Sequence, residues 1–140
     1  MLRMTLITLG VADVAAATEF YERFGLRKSS ASQDSVSFFQ LGPVVLGLFA
    51  REALKEDGNA GPVWTGNGGI SLARNLGSEA EVDRLMTHAA NIGATVLKPA
   101  QRAFWGGYHG YFADPDGHVW EIAYNPFFSL DEAGCLILPT

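Results

Sequence analysis

The 140-residue chain has a single cysteine, Cys135. That excludes an intrachain disulfide and a cysteine-built zinc site. A lone thiol fits a reducing compartment, so the cytoplasm is the expected location. No motif beside Cys135 would activate it as a nucleophile, and it reads as a small apolar residue. Basic residues are few: ten Lys and Arg stand against fifteen Asp and Glu, for a net charge of −5. Proteins that hold nucleic acid neutralise phosphates with clustered Lys and Arg, and here the basic residues are scattered, so no nucleic-acid partner is expected. Long apolar runs are also missing. None approaches the roughly 20 residues that span a bilayer. The opening MLRMTLITLGVADV meets a polar helix too soon for a secretory leader, and no membrane partner is expected. Gly66-Asn67-Gly68-Gly69 has no following Lys-Ser/Thr and opens no helix, so it is not a phosphate loop.

What the chain does have is apolar mass, 48% of its residues, enough for a packed core without staples. Met4 to Leu9 reads as a first strand. Asp13 follows as a helix N-cap, and Val14, Ala17, Phe20, Tyr21 and Phe24 recur at helical spacing up to Gly25. Leu26 to Ser30 reads as a short strand. Ser35 to Leu41 and Val44 to Ala50 form a hairpin around Gly42-Pro43. Residues 51–68 read as a polar, Gly-rich linker with one aromatic, Trp64. The order of elements then begins again. Gly69 to Ala73 is a strand. Ser78 with Glu81 three residues later is a capping box, and Val82, Leu85, Met86, Ala89 and Ile92 make an apolar face that ends at Gly93. Ala94 to Lys98 is a strand, followed by a hairpin from Tyr108 to Ala113 and His118 to Tyr124. In its turn, Pro115 presets φ and Asp114 can hydrogen-bond its own backbone. The fold class is therefore α+β, a strand–helix–three-strand unit used twice. Module one covers about 4–50, the linker 51–68, module two about 69–125 and a tail 126–140. In the tail, Cys135 to Leu138 either folds back as an edge strand or packs on a partner.

Two stretches, VADVAAATEFYERFGL (11–26) and GYFADPDGHVWEIAYNP (110–126), resemble the vicinal oxygen chelate superfamily. Its members include glyoxalase I, extradiol dioxygenases and bleomycin-resistance proteins. The first is similar to the opening helix, with Phe20-Tyr21 then Gly25-Leu26. The second is similar to the F-x-D-P-D-G-x-x-x-E pattern. The resemblance implies paired βαβββ modules whose mixed sheets curl into a cup, with the helices outside, and it implies a homodimer. It also implies four metal-holding positions on the first and last strands of each module. Glu121 matches one of them. Leu6 or a neighbour, Gly47 and Gly69 stand at the other three, and Leu and Gly offer no donor, so no metal cofactor is expected.

Glu121 is the one acid inside an apolar strand, and alternation puts it opposite Trp120 and Ile122. It is either a ligand-contacting carboxylate or general base, or a vestige bonded to Ser71, Thr8 or water. His109, on the paired strand, is either its acid–base partner or a strand residue near an exposed end. Trp105 and Tyr108 flank Gly106-Gly107, where a ligand could approach the backbone closely. Phe39 and Phe49 can face the cup by alternation, or be ordinary core. Trp64 is a pocket or interface candidate. Two functions stand: a binding protein that holds a small apolar or aromatic molecule without a complete metal site, and a superfamily enzyme of lyase, isomerase or dioxygenase type using Glu121 and His109.

Overall fold

The computed structural model describes residues 2–64 and 69–139. The glycine-rich stretch at 66–68 lies outside the described residues. The chain divides into two compact units, Met1–Gly69 and Ile70–Thr140.

In the first unit, β1 (Leu6–Val11) leads into α1 (Val14–Arg23), followed by β2 (Val36–Leu41) and β3 (Val44–Ala50). The sheet order is β1-β3-β2, with β1 parallel to β3 and β2 antiparallel to it. A helical crossover makes the parallel pair possible, because two parallel strands need a long connection. Asp13 caps α1 as its sequence suggests: its carboxylate accepts from the Ala16 N–H at 3.0 Å. Gly25 follows the helix at φ +89°, and the N–H of Leu26 closes onto the Tyr21 carbonyl at 3.3 Å. The buried face of α1 carries Ala17, Thr18, Phe20 and Tyr21. Below it lie Phe39, Leu46 and Leu48, all nearly inaccessible to solvent. Thr18 donates its hydroxyl to the Val14 carbonyl, so the buried 2.7 Å contact with Ser37 has Ser37 as donor. This bond ties the helix to β2.

Three expectations change in this half. The strand expected at Leu26 to Ser30 is a single bridge, Lys28 to Phe39. It lies where a fourth strand would stand, but the run around it, Arg27 to Ser32, is polar apart from Ala31 and offers little apolar surface to hold a longer ladder. The first strand runs to Val11 rather than Leu9, since Val11 is fully buried and pairs with Ala50. The expected linker opens with a helix, α2 (Arg51–Asp57). Its sequence REALKED is rich in good helix formers and stops before Gly58. The glycines later in the segment masked that local preference.

The second unit has β4 (Leu72–Asn75), α3 (Glu79–Asn91), β5 (Thr95–Arg102), β6 (Tyr108–Ala113) and β7 (Val119–Tyr124). Its sheet order, β4-β7-β6-β5, repeats the first with a full fourth strand, and β4 is parallel to β7. Ser78 caps α3 and Glu81 reaches back to it, though to the hydroxyl and not the backbone N–H: Ser78 Oγ accepts from the Glu81 N–H at 3.2 Å and donates to its carboxylate at 3.0 Å. Val82, Met86 and Ala89 of α3 are buried, as are Phe112 and Ile122 on the strands that α3 packs against. Trp120 lies parallel to Phe112, with centroids 6.4 Å apart. β4 begins at Leu72, three residues after the position expected from sequence, because Gly69 takes φ +86°. The tail forms a two-residue hairpin, β8 (Ser129–Leu130) with β9 (Leu136–Ile137), so the apolar run pairs within its own segment. Among the described residues no helix is long and apolar enough to cross a membrane.

Candidate functional site

The β6–β7 hairpin builds the site. Asp114 closes its turn, its Oδ1 accepting from the N–H groups of Asp116 and His118 at 2.9 and 2.8 Å. This closure sets the ladder, in which Tyr111 faces Glu121 and His109 faces Ala123. Strand alternation then sorts the side chains. Tyr108 and Phe112 turn toward α3, and the Tyr108 hydroxyl donates to Asp83 of that helix at 2.7 Å. His109, Tyr111 and Glu121 share the opposite face.

There the three side chains meet. Nδ1 of His109 lies 3.1 Å from Oε2 of Glu121, and the Tyr111 hydroxyl donates to the same oxygen. An ionised carboxylate only accepts, so Nδ1 carries the imidazole proton. The Glu121 bond favours the neutral Tyr111 phenol, and burial and the carboxylate charge add to it. Together they push the Tyr111 hydroxyl up to about 12. His109 is 6% exposed, while the Glu121 side chain keeps 24% of its surface. Oε1 of Glu121 and Nε2 of His109 have no partner among the described residues. No fully enclosed side-chain nitrogen or oxygen among those residues lacks one. Neither atom is therefore fully enclosed.

Trp105 completes the cluster. Its indole meets the His109 ring edge-on at 5.3 Å, and Tyr111 meets the same ring at 5.4 Å. Gly107 permits this. A Cβ there would lie 1.7 Å from Trp105 Cζ3 and 2.6 Å from the Tyr124 carbonyl oxygen. The close approach expected at the paired glycines is thus made by the chain's own tryptophan.

The remaining candidates fall elsewhere. Tyr108 is on the α3 side of its sheet. Phe39 is core, its ring 6.3 Å from that of Tyr21 on α1. Phe49 is half-buried and, by alternation from Leu48, lies on the sheet face away from α1. Trp64 is about half exposed, just after α2, its N–H bonded to the Ala60 carbonyl. Of the expected metal positions, Leu6 is 45% exposed and Gly47 pairs with Thr8. Gly69 precedes its strand, and the residue paired with Glu121 on β4 is Ala73, which also lacks a donor. Among the described residues no three His, Cys, Asp or Glu side chains gather as metal ligands would. Ser71 and Thr8, weighed as partners of Glu121, give way to Tyr111 and His109. Tyr111 escaped the sequence reading, although it stands two residues from His109 and across the hairpin from Glu121. Counting outward from the turn at Asp114 to Gly117 would have found it.

The fold has counterparts among known proteins. The family model for the Glyoxalase/Bleomycin resistance protein/Dioxygenase superfamily matches residues 3–122. The chain belongs to this superfamily. A solved glyoxalase-related enzyme from Fulvimarina pelagi is 34% identical, with full coverage of both chains and a TM-score of 0.86. A glyoxalase/bleomycin resistance protein/dioxygenase family enzyme from Burkholderia phytofirmans PsJN shares the fold at 22% identity. There the coverage is 88% of this chain and 98% of that one, with a TM-score of 0.78. A lactoylglutathione lyase from Agrobacterium tumefaciens shares it at 24% identity, 89% and 95% coverage and a TM-score of 0.64. No curated protein matches the chain. The second module of this member carries one acid and one histidine joined to each other.

Proposed function

We propose that this chain binds a small apolar or aromatic molecule on the face bearing Trp105, His109, Tyr111 and Glu121, without a complete metal site. The observation that supports this reading is the 3.1 Å contact between His109 and Glu121. A divalent metal takes three or four convergent donors. Glu121 and His109 are two, one short of the smallest such set. Ala73, which pairs with Glu121 on β4, offers no donor and does not raise the module's set to three. The aromatic rings beside them suit a flat or apolar ligand. We further propose that the protein acts as a homodimer in the cytoplasm.

An enzyme reading rests on one specific feature. Glu121 fixes the His109 tautomer and leaves Nε2 as an open base, the arrangement of a carboxylate-oriented imidazole in proton transfer. The Fulvimarina pelagi relative is itself described as an enzyme.

Metal quantification on protein purified without chelator separates the readings from a metal enzyme. The binding proposal expects metal far below one equivalent and quenching of Trp105 fluorescence by an added aromatic ligand. One equivalent of Zn, Ni, Fe or Mn, lost together with Glu121→Gln, would sink it.

A further inference from the structure

Resting on the binding reading above, we infer the chemical class of the ligand: a flat aromatic cation that donates two N–H groups, such as an amidinium or an amino-substituted nitrogen heterocycle. The inference follows from which atoms the triad leaves open. Oε2 of Glu121 already accepts from two donors, His109 and Tyr111. Nδ1 of His109 and the Tyr111 hydroxyl are therefore spent. What remains is Oε1 of Glu121 and Nε2 of His109, neither with a partner among the described residues and neither sealed from the surface. Both are acceptors, since the imidazole proton sits on Nδ1. A ligand that only accepts finds no donor here, and a ligand without N–H or O–H leaves both atoms unpaired.

Charge points the same way. Among the described residues Glu121 lies within ion-pair distance of no Lys or Arg, and its contact with His109 is a hydrogen bond from Nδ1. Lys98 and Gln101 face Tyr111 and His109 across the β5–β6 ladder, yet both are exposed and form no ion pair or side-chain hydrogen bond to the triad. Trp105 and Tyr111 are half-buried, so part of each ring stays open, and π-faces attract a flat cation. An amidinium carries N–H groups enough to direct one at Oε1 of Glu121, as a charge-assisted bond, and another at Nε2 of His109.

Calorimetry on the full chain with three probes of one shape tests the assignment. Benzamidine is a cation with N–H donors, acetophenone is neutral with no such donor, and benzoate is an anion that only accepts. The expected order is benzamidine about tenfold or more tighter than acetophenone, as for a charge-assisted pair, with benzoate weakest. Glu121→Gln should bring benzamidine down to the level of acetophenone while leaving acetophenone unchanged. In the unmutated chain, benzamidine should shift the ring-nitrogen resonances of His109, which locates it even where Glu121→Gln does not fold. Acetophenone or benzoate binding as tightly as benzamidine overturns the ligand class and leaves the binding reading standing. Failure of all three to bind overturns both.

Discussion

Tyr111 stands directly across the β6–β7 ladder from Glu121, and its hydroxyl donates to the carboxylate that also receives His109. One cross-strand pair thus sets where the carboxylate points and which of its oxygens stays open. It also predicts a titration. The Tyr111 phenol has its folded pKa raised from 10.0 to about 12, so its contribution to stability is complete below pH 10 and lost as pH rises through about 12. Ultraviolet titration should show a tyrosine step near pH 12, and Tyr111→Phe should remove that step, while Tyr108, raised by its bond to Asp83, keeps its own. Chemical denaturation should find the variant less stable by about 1 kcal/mol near neutral pH, the net worth of one such bond. That gap should close in alkali. An equal gap at all pH values would show that the hydroxyl bond contributes nothing.

Gly107 is the second test. A Cβ at this position would overlap Trp105 and crowd the Tyr124 carbonyl. Gly107→Ala must therefore push the indole off the backbone and away from His109. The expected cost is about 1–3 kcal/mol, as for other overpacking. Near-ultraviolet circular dichroism should report the tryptophan's changed surroundings. An unaltered spectrum and midpoint would mean that Trp105 does not lie over this glycine.

Phe39 and Phe49 form a paired control. Phe39 is fully buried against the α1 side, whereas Phe49 is half-buried on the other face. Phe39→Ala should destabilise the chain by about 3–5 kcal/mol, the usual cost of emptying an aromatic core site. Phe49→Ala should cost clearly less. Urea midpoints compared at constant slope decide between them. Equal losses would contradict the assignment of the two faces.

Much of the architecture was legible in the amino-acid order because its determinants are local. Asp13, Gly25, Ser78 with Glu81, and Asp114 to Gly117 each act on backbone groups within a few residues, so reading them needs no partner strand. The period-two alternation of the last strand likewise sorted Glu121 from Trp120 and Ile122. The α2 helix was missed although its signal is local too, because the polar glycine-rich stretch that follows it dominated the composition of the whole segment.

By itself, then, the sequence determined the two repeated modules, their helix ends, the closing hairpin and the presence of one carboxylate among apolar strand residues. These rest on short-range backbone preferences and apolar periodicity. Only the tertiary structure decided what that carboxylate touches. Tyr111 and His109 reach Glu121 across a ladder, Tyr108 turns away to Asp83, and Trp105 folds over Gly107 onto the imidazole. Each of these depends on the pairing register and on the space a missing Cβ leaves, and both exist only once separate segments have packed together.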